Sequence, residues 1–263
     1  MQTSCVVTGG ARGIGRGIAE LMVARGHAVV IGDLDGWAAA ATAAEIGAVA
    51  GLAQDVRDPA SHVLVAEEAA RHGTLTSWFN NAGVGDDGAL TALTDEQVRR
   101  LVEVNLLGTT WGTRAALAAF APAGGDVVNV ASLSGLGPVP GYSMYAATKA
   151  AVVSLSASVN AESPRGVRVH ALCPDGVDTA MLAGQDPDGL GAQLTHSGGP
   201  ILGVAEVAEA AVALVGSRRV VRTLPGWRGG VIRGAMLAPG VSQHAARVFA
   251  AQGRRAMRRR AAR

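Results

Sequence analysis

Three features of the sequence predict an α/β protein, built as one domain on a doubly wound parallel sheet. Short apolar runs alternate with segments of helical period from Cys5 to Gly216. The connections between them are short, which suits strands that return through crossover helices. The first strand runs into a glycine-rich turn, Thr8-Gly9-Gly10-Ala11-Arg12-Gly13-Ile14-Gly15, that opens the first helix. The chain has 263 residues, 49% hydrophobic and 17% charged. That supports a sizeable core and is too apolar for a disordered chain.

Cys5-Val6-Val7 is the first strand. Ile14, Ile18, Leu21 and Met22 follow at helical spacing, and Gly26 ends that helix. Ala28 to Ile31 is the second strand, closed by Gly32-Asp33. Residues 36–46 form an alanine-rich helix and 48–53 a third strand. Asp58-Pro59 starts a helix that ends near Arg71, because proline suits a first helical position. Leu75 to Phe79 is a strand running into Asn80-Asn81-Ala82-Gly83. Thr94 caps a single long helix that ends near Phe120. Asp126 to Ala131 is a strand, Ser143 to Glu162 a helix and Val167 to Cys173 a strand. Residues 178–203 are rich in Gly and Pro and precede a helix over 204–216. In such sheets ligands sit beyond the carboxyl ends of the strands. The loops at 8–15, 33–35, 55–56, 81–84, 131–142 and 174–203 should therefore face one site.

Several classes are excluded. The best candidate membrane span, Val127 to Thr148, is broken by Gly, Pro and Ser. The opening Met1-Gln2-Thr3-Ser4 has no basic leader, so a cytoplasmic protein is expected. Cys5 and Cys173 lie in separate apolar runs and read as buried free thiols. The six histidines show no zinc spacing, so no metal is expected. Gly141-Tyr142-Ser143-Met144 begins like a nucleophile elbow, but Tyr145 stands where the closing glycine belongs. Charge is divided along the chain: residues 1–217 hold 11 basic and 21 acidic residues, whereas residues 218–263 hold 12 arginines and no acid. Of 23 basic residues, 22 are arginine and one is lysine, at position 149. That lone lysine marks a place where a guanidinium cannot do the work of a compact ammonium.

The glycine-rich turn lets a backbone approach a pyrophosphate, while the helix start offers unbonded N–H groups and a positive dipole end. Its spacing alone is weak evidence, expected by chance roughly 0.7 times in a chain this rich in glycine. Its place between strand one and helix one carries the weight. Asp33, at the end of strand two, can accept hydrogen bonds from ribose hydroxyls and would repel a 2′-phosphate. Arg12 pulls the other way, since a basic residue in the loop can meet that phosphate. Tyr145 and Lys149 lie four residues apart on one helix face. A phenol must fall by about three units from its usual pKa to exchange protons near neutrality, and a nearby cation can supply that. Ser132 opens the loop after the fifth strand, with Ser134 as a rival hydroxyl. Asn105 is a polar residue in an apolar helix and must be satisfied if buried; structural and functional roles are equally open.

Together the glycine-rich turn, Asn80-Asn81-Ala82-Gly83, Asn105, Ser132 and Tyr145-Ala146-Ala147-Thr148-Lys149 resemble the short-chain dehydrogenase/reductase family over residues 3–216. The resemblance implies a Rossmann-type sheet of about seven strands and a homotetramer or homodimer. It implies that Tyr145 is the acid/base and that Lys149 lowers its pKa and holds the nicotinamide ribose. Ser132 would bond the carbonyl oxygen, and Asn105 would anchor a proton-relay water. Cofactor contacts would come from Gly9, Arg12, Gly13, Ile14 and Gly15 at the pyrophosphate, and from Asp33 and Leu34 at the ribose. Asp55 and Val56 would hold adenine. Asn81, Ala82, Gly83 and Val104 would line the cofactor, as would Pro174, Gly176, Val177 and Thr179 after the sixth strand. The aspartate at the end of strand two implies NAD, with NADP as the alternative. Two departures stand out. Pro174-Asp175 replaces the usual Pro-Gly, and the C-terminus is Val220-Val221-Arg222-Thr223-Leu224-Pro225-Gly226-Trp227 followed by a basic segment.

The reading is an oxidoreductase moving hydride between a nicotinamide cofactor and a small secondary alcohol or ketone. Ser132, Leu133, Tyr142, Asp175 and Met181 are the candidate substrate contacts; with Leu136, Val139, Pro140 and Leu182 they imply a lipophilic substrate. The rivals are an NADPH-dependent ketoreductase and a non-catalytic dinucleotide sensor. Residues 1–240 form the catalytic domain and 241–263 a basic tail. Ala245, Val248, Phe249 and Met257 give the tail one apolar edge, among Arg247, Arg254, Arg255, Arg258, Arg259, Arg260 and Arg263. The first half can form a helix and Gly253 weakens its continuation; beyond it six arginines in ten residues repel one another, so the last residues are expected to be mobile. The tail either neutralises the acidic body or makes weak contact with anionic membrane. Nucleic acid is not expected, because no aromatic residue accompanies the terminal arginines.

Overall fold

The computed structural model describes the chain apart from residues 1, 121, 123, 237, 238, 262 and 263; of residues 239–247, 260 and 261 it describes the backbone alone. Seven parallel strands form one sheet: β1 (Thr3–Thr8), β2 (Ala28–Asp33), β3 (Ala50–Ala53), β4 (Thr74–Asn80), β5 (Gly125–Val130), β6 (Val167–Pro174) and β7 (Val221–Leu224). Their order is β3-β2-β1-β4-β5-β6-β7. The order reverses between β1 and β4, and a ligand crevice is expected where strand order reverses. The helices are α1 (Gly13–Ala24), α2 (Gly36–Ile46), α3 (Pro59–His72), α4 (Asp95–Leu101), α5 (Thr109–Ala119), α6 (Ser143–Glu162), α7 (Ala180–Ala183), α8 (Leu190–Thr195), α9 (Val204–Val212), α10 (Gly226–Met236) and α11 (Pro239–Ala261).

Alternate strand residues feed two cores, because successive side chains leave opposite faces. Cys5, Val7, Val29 and Ile31 pack with Ile18 and Met22 of α1 and Val207 and Ala211 of α9. Val6, Val30 and Trp78 face Val65 and Ala69 of α3 and Ala116 of α5. At the amino end of the sheet the buried Asp126 accepts hydrogen bonds from Arg168 Nε at 2.7 Å, Arg168 Nη2 at 2.8 Å and His170 Nε2 at 3.0 Å. Burial alone would raise that carboxyl, but the bonds from Arg168 and His170 outweigh burial and hold it below the ordinary range.

Four local expectations change. The long helix from Thr94 is three pieces: α4, a wider π turn over Val102–Gly108, and α5. Its start is as expected, since the Thr94 hydroxyl accepts from the Gln97 N–H and the Gln97 amide oxygen accepts from the Thr94 N–H. The 178–203 stretch contains α7 and α8. The C-terminal departure still yields an edge strand, with Val221 to Leu224 in register with Ala171 to Pro174. Finally, α11 is helical through Gly253 to Ala261, against the expected weakening. The side chains of Ala245, Arg247 and Arg260, and Arg263 altogether, lie outside the described residues.

Candidate active site

Tyr145 and Lys149 sit one turn apart in α6, as their spacing requires. Lys149 is buried, its Nζ lies 5.7 Å from the Tyr145 ring centroid, and it donates to the Val130 carbonyl at 2.9 Å. Burial lowers the ammonium to about 8. Burial raises the Tyr145 phenol above its ordinary value, and a hydrogen bond with the Ser132 hydroxyl offsets part of that rise. Ser132 leaves the end of β5, and its Oγ accepts from the Ser134 N–H at 3.1 Å. Of the two rival serines, Ser132 is therefore the one whose hydroxyl meets Tyr145, while Ser134 helps to orient it.

Asn105 lies in the π turn, fully buried. Its Oδ1 accepts from the Val84 N–H at 2.9 Å, and its Nδ2 donates to the Val84 carbonyl at 2.9 Å and to Thr148 Oγ1 at 3.3 Å. The side chain thus ties the loop after β4 to α6. An insertion of this kind, common at functional sites, turns one polar residue into a brace. A Cβ on Gly83 would lie 3.2 Å from Asn105 Oδ1 and 3.5 Å from Lys149 Nζ, so this loop skirts the lysine.

At the switch point, Gly9 and Gly13 have φ of 61° and 57°, a region that favours glycine. A Cβ at Gly15 would overlap the Gly9 carbonyl oxygen. Asn81 Nδ2 donates to the Thr8 and Gly9 carbonyls at 3.1 and 2.9 Å, and the Asn81 and Ala82 N–H groups donate to Thr8 Oγ1 at 3.1 Å. The sequence marks Thr8 only by its place before the first glycine, and the fold makes its hydroxyl the acceptor for both of these N–H groups. No side chain caps α1 and no acid stands in its first turn, so its amino end is suited to a phosphate. Ile14 packs on the core beneath the turn, and Arg12 is exposed.

Asp33 Oδ2 accepts from the Ala11 N–H at 3.1 Å and its Oδ1 from the Asp35 N–H at 3.3 Å, which binds the end of β2 to the glycine turn. Leu34 beside it is 72% exposed. The Asp55 carboxylate is held by Arg57, with Nη2 at 2.6 Å, and that hydrogen bond keeps it below its ordinary pKa. Val56 is buried under Gly108, and Val104 is half-buried in the π turn. After β6, Val177 bridges to Leu202, and the Leu202 N–H donates to the Gly176 carbonyl at 2.9 Å. The Thr179 methyl lies 3.7 Å from where a Gly13 Cβ would stand, which brings this loop to the glycine turn. These residues fit a dinucleotide: an uncapped helix start, glycines at positive φ, and a carboxylate at the end of β2.

The substrate expectations divide. Tyr142 is buried, its ring 5.7 Å from that of Tyr145. Met181 is 43% exposed and borders Gly85. Leu133 is not brought to the cleft: it is 2% exposed and packs with Val152, Ala171 and Cys173, because the short helix after Ser132 turns it inward. Asp175 is occupied by an ion pair with Arg228 of α10, Nη1 to Oδ2 at 2.8 Å. Burial raises the Asp175 carboxyl and the Arg228 charge opposes this. Nothing in the bare sequence marked Arg228, 53 positions away from Asp175. No cluster of three or more metal-ligating side chains occurs among the described residues, and no described helix is long and apolar enough to cross a membrane.

Comparison with known proteins agrees with this geometry. The short-chain dehydrogenase family matches residues 3–189. A sorbitol dehydrogenase of Cereibacter sphaeroides is 39% identical over 188 residues, covering 70% of this chain and 73% of the relative. A 2,5-dichloro-2,5-cyclohexadiene-1,4-diol dehydrogenase of Sphingobium indicum is 35% identical, covering 73% and 79%. The crystal structure of a short-chain dehydrogenase/reductase from Burkholderia phymatum in complex with NAD superposes with a TM-score of 0.81 at 26% identity, over 92% of this chain and 95% of that one. The chain belongs to the short-chain dehydrogenase family and is an NAD(P)-dependent oxidoreductase acting on CH–OH groups.

Proposed function

We propose that the chain is an NAD-preferring dehydrogenase of small secondary alcohols with an apolar body. The observation that carries this is the meeting of Ser132, Tyr145 and Lys149 at the carboxyl end of the sheet, with Asp33 at the far end of the same crevice. Bound NAD would supply the hydride acceptor. The Tyr145 phenolate takes the hydroxyl proton, and Ser132 holds the same oxygen as it becomes a carbonyl. Lys149 opposes the burial that keeps the phenol protonated, and holds the nicotinamide ribose. Asn105 braces Val84 against α6 and anchors the proton-relay water. Asp33 accepts from the adenosine ribose and repels a 2′-phosphate. Met181 and the Tyr142 ring support an apolar substrate body, and Leu133, packed inward, does not contribute to it. A homodimer or homotetramer in the cytoplasm fits the family. Exposed Val248 and Phe249 beside Arg255, Arg258 and Arg259 favour weak contact with anionic membrane.

The test is turnover of a panel of secondary alcohols with NAD+ and with NADP+. The expected result is oxidation with a higher kcat/KM for NAD+, and a narrower gap in Asp33→Ala. A preference for NADP+ would make the chain a ketoreductase in which Arg12 outweighs Asp33. Tight cofactor binding without turnover on any alcohol or ketone would make it a sensor.

A further inference from the structure

The basic C-terminal helix α11 lies against α8 and the turn that follows it. In α11, Ala250 and Gly253 are buried and Met257 is half-buried, a stripe at helical spacing. The stripe faces α8 and the turn His196–Gly198. Gly253 is the point of closest approach: a Cβ there would overlap the Gln193 carbonyl oxygen and stand 2.6 Å from its carbonyl carbon. The glycine that weakens the helix in isolation is the residue that lets it seat. Beside it, Arg254 Nη1 donates to Gln193 Oε1 at 2.8 Å. Gln193 Nε2 in turn donates to the Asp188 carbonyl at 2.9 Å.

α8 carries this contact inward. A Cβ on Gly191 would stand 2.5 Å from Cε2 of Tyr142, so the helix backbone rests on that ring. The ring borders Tyr145. From the other side, Arg228 of α10 holds the same segment, donating through Nη2 to the Leu194 carbonyl at 2.8 Å and to Ser197 Oγ at 3.3 Å while it pairs with Asp175.

We propose that Gly253 and Arg254 are positioning residues for the substrate, holding α8 down over Tyr142 so that the C-terminal helix sets the affinity of the alcohol site. The idea rests on the dehydrogenase reading for its kinetic arm only. None of the described side chains of α11 is placed at the cofactor, so the effect should fall on the alcohol and spare the dinucleotide.

The experiment compares the full chain with Gly253→Leu, with Arg254→Ala and with a chain ending at Gln252. Three quantities are measured: KM and kcat for the best alcohol, NADH affinity by fluorescence titration, and hydrogen exchange of residues 189–198. Gly253→Leu and the shortened chain should raise KM about tenfold with kcat changed by less than about threefold, and leave NADH affinity within about twofold. Exchange over 189–198 should quicken. Arg254→Ala should move the same quantities in the same direction by about threefold. If Gly253→Leu fails to fold, the shortened chain and Arg254→Ala decide. KM unchanged in those two, or exchange over 189–198 unchanged, overturns the proposal. A wild-type chain that turns over no alcohol would sink the dehydrogenase reading, while the exchange arm would still decide whether α11 holds α8.

Discussion

Tyr145 carries the proton in the proposed reaction, and two opposed influences act on its phenol. Burial raises it, and the Ser132 hydrogen bond lowers it. Oxidation needs the phenolate and reduction needs the phenol. kcat/KM for oxidation should therefore rise with pH as the phenol ionises, and kcat/KM for reduction should fall as it does so. Ser132→Ala removes the lowering influence, so the rise should move to higher pH as well as shrink. Parallel pH profiles in the two directions check this; a matching trend in both would remove Tyr145 as the proton carrier. Tyr145→Phe should cost about a thousandfold or more in kcat with cofactor affinity retained. Lys149→Arg should cost a similar factor. Lys149 is 5% exposed and enclosed by Val130 and Gly83, and a planar guanidinium does not replace a compact ammonium there. Steady-state rates within tenfold of wild type in either variant would end the assignment.

Among the elements, the glycine turn and the π turn show what spacing can and cannot convey. Thr8 to Gly15 was legible because a strand, a turn and a helix follow one another locally. The closeness of Gly15 to the Gly9 carbonyl depends on how the turn folds back on itself, and the clamp that Asn81 places on both Thr8 and Gly9 comes from a residue some 70 positions away, so no local pattern reports either. Gly15→Ala should force the turn open and lower cofactor affinity about a hundredfold, a change of about 3 kcal/mol, while far-UV circular dichroism stays unchanged. NADH titration measures it, and wild-type affinity would mean that this turn does not hold the pyrophosphate. Asn105 was visible as a polar residue in an apolar helix, but its bonding to Val84 and Thr148 depends on the π turn. Helical periodicity cannot announce a single inserted residue, and so the segment reads as one continuous helix.

At the scale of the molecule, acid stability depends on a group remote from the chemistry. The Asp126 carboxyl is held below its ordinary value in the folded chain. Its contribution is therefore complete above the unfolded value of about 3.9 and is lost as pH falls through the lower folded value. Asp126→Asn should cost about 2 kcal/mol at neutral pH, lowering Tm by about 5 °C. The deficit should shrink as the wild-type carboxylate protonates in acid. Differential scanning calorimetry at neutral pH and near pH 3 follows this, and an equal deficit at both would mean that ionisation of Asp126 contributes nothing. The charge division also acts at this scale. Residues 254–259 place four arginines on a helix whose other face is seated on α8, so salt can weaken what those arginines attract without releasing the apolar seat.

The alternation of apolar runs, the glycine turn and the Tyr145–Lys149 spacing determined the sheet, its helices and the pairing of these two side chains on one face of α6, because each depends on contacts within a turn or a strand length. The edge strand β7, the inward turn of Leu133 and the ion pair between Asp175 and Arg228 were decided only by the tertiary structure. In each case a residue's neighbours belong to an element far along the chain, and its own sequence context fits more than one surrounding. Gly253 shows the limit most clearly. In sequence a glycine weakens a helix, since it loses the most backbone freedom on ordering. In the fold its missing side chain is what allows α11 to touch the Gln193 backbone, and only the partner surface gives that absence its meaning.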